Sequence, residues 1–302
     1  MTEAKIICDS ITPEGNRLTT FILTYWRAIH SEFMTHRCFS RNASSSRAIP
    51  ISKMIEAVET EPARPIFWGT NQAGMQASTQ LEGAELNVAK VEWNLARNRA
   101  VDSCNTLNYN KLHKQIANRV LEPFAHITVI ATSSERGLLN MFGLRAHKDA
   151  QPEYQVLAYK MLKNWLKSKP TKLDYGQWHV PFYENPTVFG PNPKEAELDQ
   201  LKIATGRIAR VSYLTHDGVR DESKDIELHD RLASSGHWSP FEHCAMAIKT
   251  DLLYSQQRSN FGNNWLQYRK TFIDTECQAP TIAQLKENLK NAPDWAQVYL
   301  KD

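Results

Sequence analysis

Thirteen residues, Thr35 to Arg47 (THRCFSRNASSSR), constrain this chain more than any other stretch. They hold three arginines and a histidine among six hydroxyl or amide side chains, with almost no aliphatic bulk. Such a segment cannot seed a core, yet it follows the apolar RLTTFILTYW and precedes the amphipathic ISKMIEAV. Arginine forks with hydroxyl donors between them match phosphate, as carried by a nucleotide or a flavin. The plainer reading is a solvated basic loop. Fixed spacing and further clusters elsewhere in the chain favour the ligand reading.

Hydrophobic periodicity supplies the frame around that stretch. Arg17 to Tyr25 is rich in β-branched and aromatic residues and predicts a strand; Trp26 to Met34 changes to helical spacing. Helices are predicted over Ile51–Thr60, within Thr79–Leu107 and over Lys111–Leu121. A strand is predicted at Ala125–Thr132, then a helix from Glu135 to Arg145 capped by Ser133 or Ser134. Asp149 offers an N-cap for a helix reaching Lys167, with Pro152 in its first turn. Tyr175 to Pro193, with four prolines and two glycines, reads as a linker. Beyond it, helices are expected at Glu195–Tyr213 and Ser223–Ser235, a strand at Cys244–Leu252 and a helical tail past Ala279. The class is α+β, mixed helix and sheet with helices dominating, in one domain with a first half (17–170), a second half (194–255) and a C-terminal tail (256–302).

Composition excludes several functions. A net charge of +3 over 302 residues is too small for a nucleic-acid coat, so anion binding must come from local clusters. Five scattered cysteines without a CxxC pair argue for a reducing compartment and against a structural zinc. No apolar run reaches membrane-spanning length, and the polar N-terminus does not read as a signal peptide, so a soluble, cytoplasmic protein is expected. Neither GxGxxG after a strand nor GxxxxGK[ST] occurs. Cys244 beside His243 is the one tempting nucleophile, and it reads as a buried strand residue.

Two more polar clusters stand out. Arg119, Glu122, Arg136, Asn140 and Arg145 form one, with Arg136 and Asn140 on the same helical face. Gly236, His237, Ser239, Glu242 and His243 form the other; its HxxxxEH lacks a third ligand at helical spacing, so no metal site is expected.

Together the clusters resemble the flavin-dependent thymidylate synthases. The family signature, Arg-His-Arg-x2-Ser-x-Asn-x2-Ser-x-Arg, is matched by Thr35-His36-Arg37, Ser40, Asn42, Ser45 and Arg47, with threonine in place of the first arginine. Asn118-Arg119-Val120-Leu121-Glu122-Pro123 is similar to Ala-Arg-x-x-Leu-Pro, and Ser134-Glu135-Arg136, Leu138, Asn140 and Leu144-Arg145 follow the family's next helix. Ala209-Arg210-Val211-Ser212-Tyr213 and Gly236-His237-Trp238-Ser239-Pro240-Phe241-Glu242-His243 usually precede the signature; here they come last, as in a circular permutation.

The resemblance implies that family's fold, permuted and carrying an inserted helical segment at 60–107. It implies conversion of dUMP to dTMP with FAD as cofactor and NADPH and methylenetetrahydrofolate as cosubstrates, in a homotetramer whose sites lie between subunits. Carried over by position, His36, Arg37, Asn140, Ser212, His237, Ser239 and Glu242 contact the flavin. Ser45, Arg47, Arg119 and Arg145 hold the nucleotide, with Arg145 and Ser45 closest to the chemistry. Glu32 stands near a usual dUMP-binding glutamine, where an anion is unfavourable unless turned away. Glu32 and Ala43, which replaces a commonly acidic residue, leave open hydroxymethylation of a pyrimidine nucleotide on the same fold. A non-catalytic nucleic-acid-binding surface is the remaining alternative.

Overall fold

The computed structural model describes residues 1–213, 221–249, 260–262, 264–272, 281–297 and 299–300. Residues Met1–Thr271 form one unit and Phe272–Asp302 another.

A five-stranded sheet organises the first unit, in the order β3-β4-β2-β1-β5. Its strands are β1 (Glu3–Ile11), β2 (Arg17–Trp26), β3 (Ser40–Ala43), β4 (His126–Ser134) and β5 (Thr171–Lys172). All neighbours run antiparallel except β1 and β5. The predicted strands at β2 and β4 are present and pair along their whole length, from Leu18 opposite Ser134 to Trp26 opposite His126. The N-terminal strand β1, EAKIICDSI, is not among the predicted elements; it pairs with β2 and puts Ala4 and Ile6 against the main core.

Period-two alternation assigns the two faces of this sheet. Phe21, Leu23 and Tyr25 of β2 and Ile127, Val129 and Ala131 of β4 enter the main core. There they meet α5 (Glu135–Arg145) and α6 (Pro152–Lys167) through Leu138, Met141, Tyr154, Leu157 and Met161. The helix α5 has the bounds expected and Ser134 is its N-cap residue, as expected, though its side chain makes no capping bond; Ser133 Oγ donates to the Cys38 carbonyl. The N-cap of α6 is Gln151 rather than Asp149, because Pro152 occupies the first helical position.

The opposite face carries threonines, and a buried polar chain covers it. Ser10 Oγ bonds His179 Nδ1 at 2.9 Å, His179 Nε2 bonds Thr20 Oγ1 at 2.8 Å, Thr20 bonds Thr132 at 2.7 Å and Thr132 bonds His243 Nδ1 at 2.8 Å. Burial depresses both imidazoles to about 3, so each is neutral at pH 7. His179 belongs to β6 (Trp178–His179), which joins β7 (Ala245–Ala247) and β8 (Trp265–Gln267) in a second antiparallel sheet. Residues 175–193, read as a linker, therefore carry a strand, with Trp178, His179, Val180 and Val188 buried. The predicted strand from Cys244 is realised only at Ala245–Ala247, and its last residues, 250–252, lie outside the described residues.

One short helix precedes the basic stretch, and two shorter helices and one long one follow it. After α1 (His30–Phe33), which extends a 3-10 turn at Arg27–Ile29, come α2 (Ile51–Thr60), α3 (Gly83–Tyr109) and α4 (Lys114–Ala117). The helix α4 passes into a 3-10 segment ending at Phe124, so the predicted Lys111–Leu121 helix is shorter and changes its winding. These elements share a core of Met54, Val58, Val101, Cys104, Leu121 and Phe124.

Downstream, α7 (Glu195–Arg210) packs against α8 (Glu222–Ser234). The contact requires Gly206, since a Cβ there would lie 2.4 Å from the Asp225 carbonyl oxygen. Asp225, buried, is bound by Arg207 and Arg210 from α7. In the second unit, α9 (Ile282–Lys290) starts with a capping box of Thr281 and Gln284, and α10 (Asp294–Gln297) follows. The helical tail predicted past Ala279 is present.

Candidate functional site

The basic stretch is not a solvated loop. Its centre is β3 at the edge of the large sheet, and alternation buries Ser40, Asn42, Ser44 and Ser46 while leaving Arg37 and Arg47 exposed. Arg41 turns back and donates to the carbonyls of Phe33, Met34 and His36, each at 3.1 Å, satisfying the end of α1.

The buried side of this segment receives the downstream clusters. Asn42 Nδ2 donates to the Ile208 carbonyl at 2.7 Å and to Ser212 Oγ at 3.4 Å, and Asn42 Oδ1 accepts from Ser239 Oγ at 3.3 Å. The Ser45 amide donates to the Ser212 carbonyl at 3.0 Å. Ser40 Oγ accepts from Gln267, which also reaches the Glu242 carbonyl. The Glu242 carboxylate is itself paired with Arg269. Ser45, Ser212, Ser239 and Glu242, distant in sequence, thus converge on β3. Asn42 and Gln267, the groups that make the junction, were not among the expected site residues; the buried alternation of β3 was the signal for Asn42.

A second convergence forms around Arg145 at the end of α5. Its Nε donates to His36 Nε2 at 3.1 Å, one terminal nitrogen pairs with Glu32 Oε2 at 2.7 Å, and its guanidinium lies 4.7 Å from the centre of the Tyr154 ring. Burial, and then the Arg145 and Arg41 charges, lower His36 to about 4, so it is a neutral acceptor at pH 7. The Glu32 carboxylate is paired with Arg145 but stays at the wall of the cleft, so its charge is partly offset and not removed from the site.

Glu32 and Arg145 line a cleft of about 530 Å³ together with Trp26, Phe67, Gln76 and Glu153. Much of its wall comes from the insertion at 60–107. That wall is anchored by Glu153, which accepts from the Ile66 amide at 3.0 Å and from Gln151 at 3.0 Å.

Other expected residues lie apart from these two groups. Arg119 is exposed and pairs with Glu122 at 2.9 Å, which also binds Arg27 and Ser46. Asn140 and Arg136 share an exposed face of α5, and the His237 ring bonds Ser235 Oγ at 2.9 Å while its amide donates to the Leu232 carbonyl. Arg37, Arg47 and Arg136 make no ion pair among the described residues. Arg37 and Arg47 flank β3 in sequence, and exposed guanidinium groups without carboxylate partners fit a ligand carrying phosphates. Cys244 is buried and its thiol is pushed well up by desolvation, and Cys8 is raised to about 12, so neither is a thiolate nucleophile. No group of three His, Cys, Asp or Glu among the described residues is placed to hold a metal ion.

The site thus consists of an arginine held by a neutral histidine at the wall of a cleft, with a separate buried Ser/Asn junction at β3. The profile of thymidylate synthase complementing proteins matches residues 17–171, just over half of the chain, which therefore belongs to that family, the flavin-dependent thymidylate synthases. Two crystal structures of a UMP/dUMP methylase, PolB from Streptomyces cacaoi, are similar at 17% identity. One, bound with 5-Br dUMP, has a TM-score of 0.41 over 50% of this chain and 66% of that chain, just under two thirds of its length. The other, bound with 5-Br UMP, has a TM-score of 0.45 over 55% of this chain and 89% of that chain. No curated protein matches the sequence. Among the described residues no helix is long and apolar enough to cross a membrane.

Proposed function

We propose that the protein is a flavin-dependent thymidylate synthase that methylates dUMP to dTMP, with FAD as cofactor and NADPH and methylenetetrahydrofolate as cosubstrates. The observation that carries this reading is Arg145, fixed by His36, Glu32 and Tyr154 at the wall of the cleft. A guanidinium so held offers its remaining N–H groups to a pyrimidine carbonyl. Negative charge gathers on that oxygen as C5 is made nucleophilic, before it attacks the one-carbon unit, and a preoriented cation stabilises it.

Arg47 and Arg119, both exposed, are assigned to the nucleotide phosphate, with Ser45 as an orienting hydroxyl. Arg37, Asn140, Ser212, His237, Ser239 and Glu242 are assigned to the flavin, with His36 between the two ligands. Bound there, the flavin would relay reducing equivalents from NADPH to the transferred carbon. The chain's own contribution is orientation and charge, consistent with cysteines held as thiols.

Exposed Leu139 and Leu144 flank Asn140 on α5, and Met34 is exposed beside His36. An apolar surface around cofactor-directed residues supports a homotetramer with sites completed by neighbouring subunits. The Asn42 bonds to Ile208, Ser212 and Ser239 support a circular permutation, since the late motifs reach the early signature.

The test is the mass of the nucleotide formed from dUMP, methylenetetrahydrofolate and NADPH. A gain of about 14 Da is expected from methyl transfer with reduction; about 30 Da would mean hydroxymethyl transfer, and no gain would remove the reading.

A further inference from the structure

A second pocket, of about 270 Å³, lies within the insertion and is lined by Arg64, Pro65, Trp68, Lys90, Trp93 and Asn94. It is preformed. Trp93 is held by ring contacts with Trp26, Trp68 and Phe124 and donates its indole N–H to the Ala63 carbonyl at 3.3 Å. The Trp68 backbone is fixed by the Leu81 amide at 2.8 Å.

Its chemistry is specific. Trp68 has a single ring partner among the described residues, Trp93, which it meets edge-on at 6.1 Å, leaving indole surface for an aromatic guest. Arg64 and Lys90 are exposed and have no carboxylate partner among the described residues. The buried amide oxygen of Asn94 has no hydrogen-bond partner. An aromatic ring, a pair of anionic groups and an amide N–H would complete this set. At about 270 Å³ the pocket falls just under the size that holds a whole small ligand, so it suits one end of a longer molecule. Pro65 lines both this pocket and the cleft at Arg145, so such a molecule would have its other end at the reacting site.

We propose that this pocket binds the aroylglutamate end of the folate cosubstrate: the benzoyl ring against Trp68, the glutamate carboxylates on Arg64 and Lys90, and the amide at Asn94. The identity of the ligand rests on the function proposed above; the chemistry of the pocket does not.

The probe is p-aminobenzoylglutamate, followed by tryptophan fluorescence on the full chain and on Arg64→Ala/Lys90→Ala, whose changes lie at the surface. Saturable quenching is expected in the unaltered protein, weakened about tenfold or more in the variant. In turnover, the variant is expected to raise KM for methylenetetrahydrofolate while leaving kcat and the Kd for dUMP unchanged. Absent or equal quenching overturns the assignment, as does stronger displacement of the probe by dUMP than by folate. Normal turnover with an unchanged folate KM overturns it while leaving the thymidylate synthase reading intact. Absence of any turnover removes that reading, and the quenching comparison still decides what the pocket binds.

Discussion

Arg145 Nε is hydrogen-bonded to His36 Nε2 at 3.1 Å, so the signature's histidine orients an arginine 109 positions later in the chain. A bond of this kind requires the imidazole to be neutral at Nε2, as burial and the neighbouring Arg41 and Arg145 charges ensure. The two residues act as one unit, and variants of either report on it.

Replacement of Arg145 removes the unit's cation. Arg145→Ala is expected to lower kcat by about 10²–10³-fold and weaken dUMP while flavin content is retained. Arg145→Lys does not restore it, because an ammonium cannot bond His36, pair with Glu32 and stack on Tyr154 together. Steady-state kinetics with the flavin absorbance of each variant checks this; near-normal kcat in the lysine variant would contradict it.

Glu32 places a negative charge where an anionic nucleotide is proposed to bind. Glu32→Gln keeps a hydrogen-bond acceptor for Arg145 and removes the charge. The Kd for dUMP, measured calorimetrically at low salt, is expected to fall several-fold, and the gain should shrink as ionic strength rises. A weaker complex would show that the carboxylate is needed by the substrate itself.

Acid should unfold the protein through its buried imidazoles. His179, His243 and His36 have folded-state values lowered from 6.5 to about 3, 3 and 4, so the unfolded chain binds more protons. Their stabilising contribution is complete above about pH 6.5 and is lost as pH falls from there toward 4 and 3. Urea midpoints measured between pH 7.5 and pH 5 should decline steadily; a flat profile would mean the imidazoles are not held neutral.

Asn42 joins the early signature to the late motifs through Ile208, Ser212 and Ser239. Asn42→Ala leaves these partners unpaired inside the protein and is expected to cost about 1–3 kcal/mol. Combining it with Ser239→Ala should cost less than the sum of the two, because they share a bond. Full additivity in denaturant titrations would place them in separate environments.

The sequence made some of this architecture readable and hid the rest for physical reasons. The strands β2 and β4 and the helices α2 and α5 carry strong period-two or helical patterns, and they occur where the periodicity puts them. Strand β1 is hard to read from sequence because polar residues such as Asp9, which is held by Arg17, interrupt its alternation, although Ala4 and Ile6 reach the main core. The stretch 175–193 looked like a linker because His179 is buried through hydrogen bonds to Ser10 and Thr20, a long-range compensation that local composition does not display. The arginines of the basic stretch were visible, but their division into exposed Arg37 and Arg47 and inward-facing Ser40 and Asn42 follows only from pairing of β3 with β4. Motif spacing gave candidate residues, of which the fold brings Ser212 and Ser239 to Asn42 and Glu32 and His36 to Arg145; the bond from His36 to Arg145 and the wall built by the insertion needed three dimensions.

The most direct test of the central claim is the visible absorption of the purified protein supplied with FAD, recorded before and after anaerobic NADPH. The account predicts a bound flavin band that bleaches with NADPH and recovers when dUMP and methylenetetrahydrofolate are added together. A protein that retains no flavin, or whose flavin NADPH does not reduce, would contradict it.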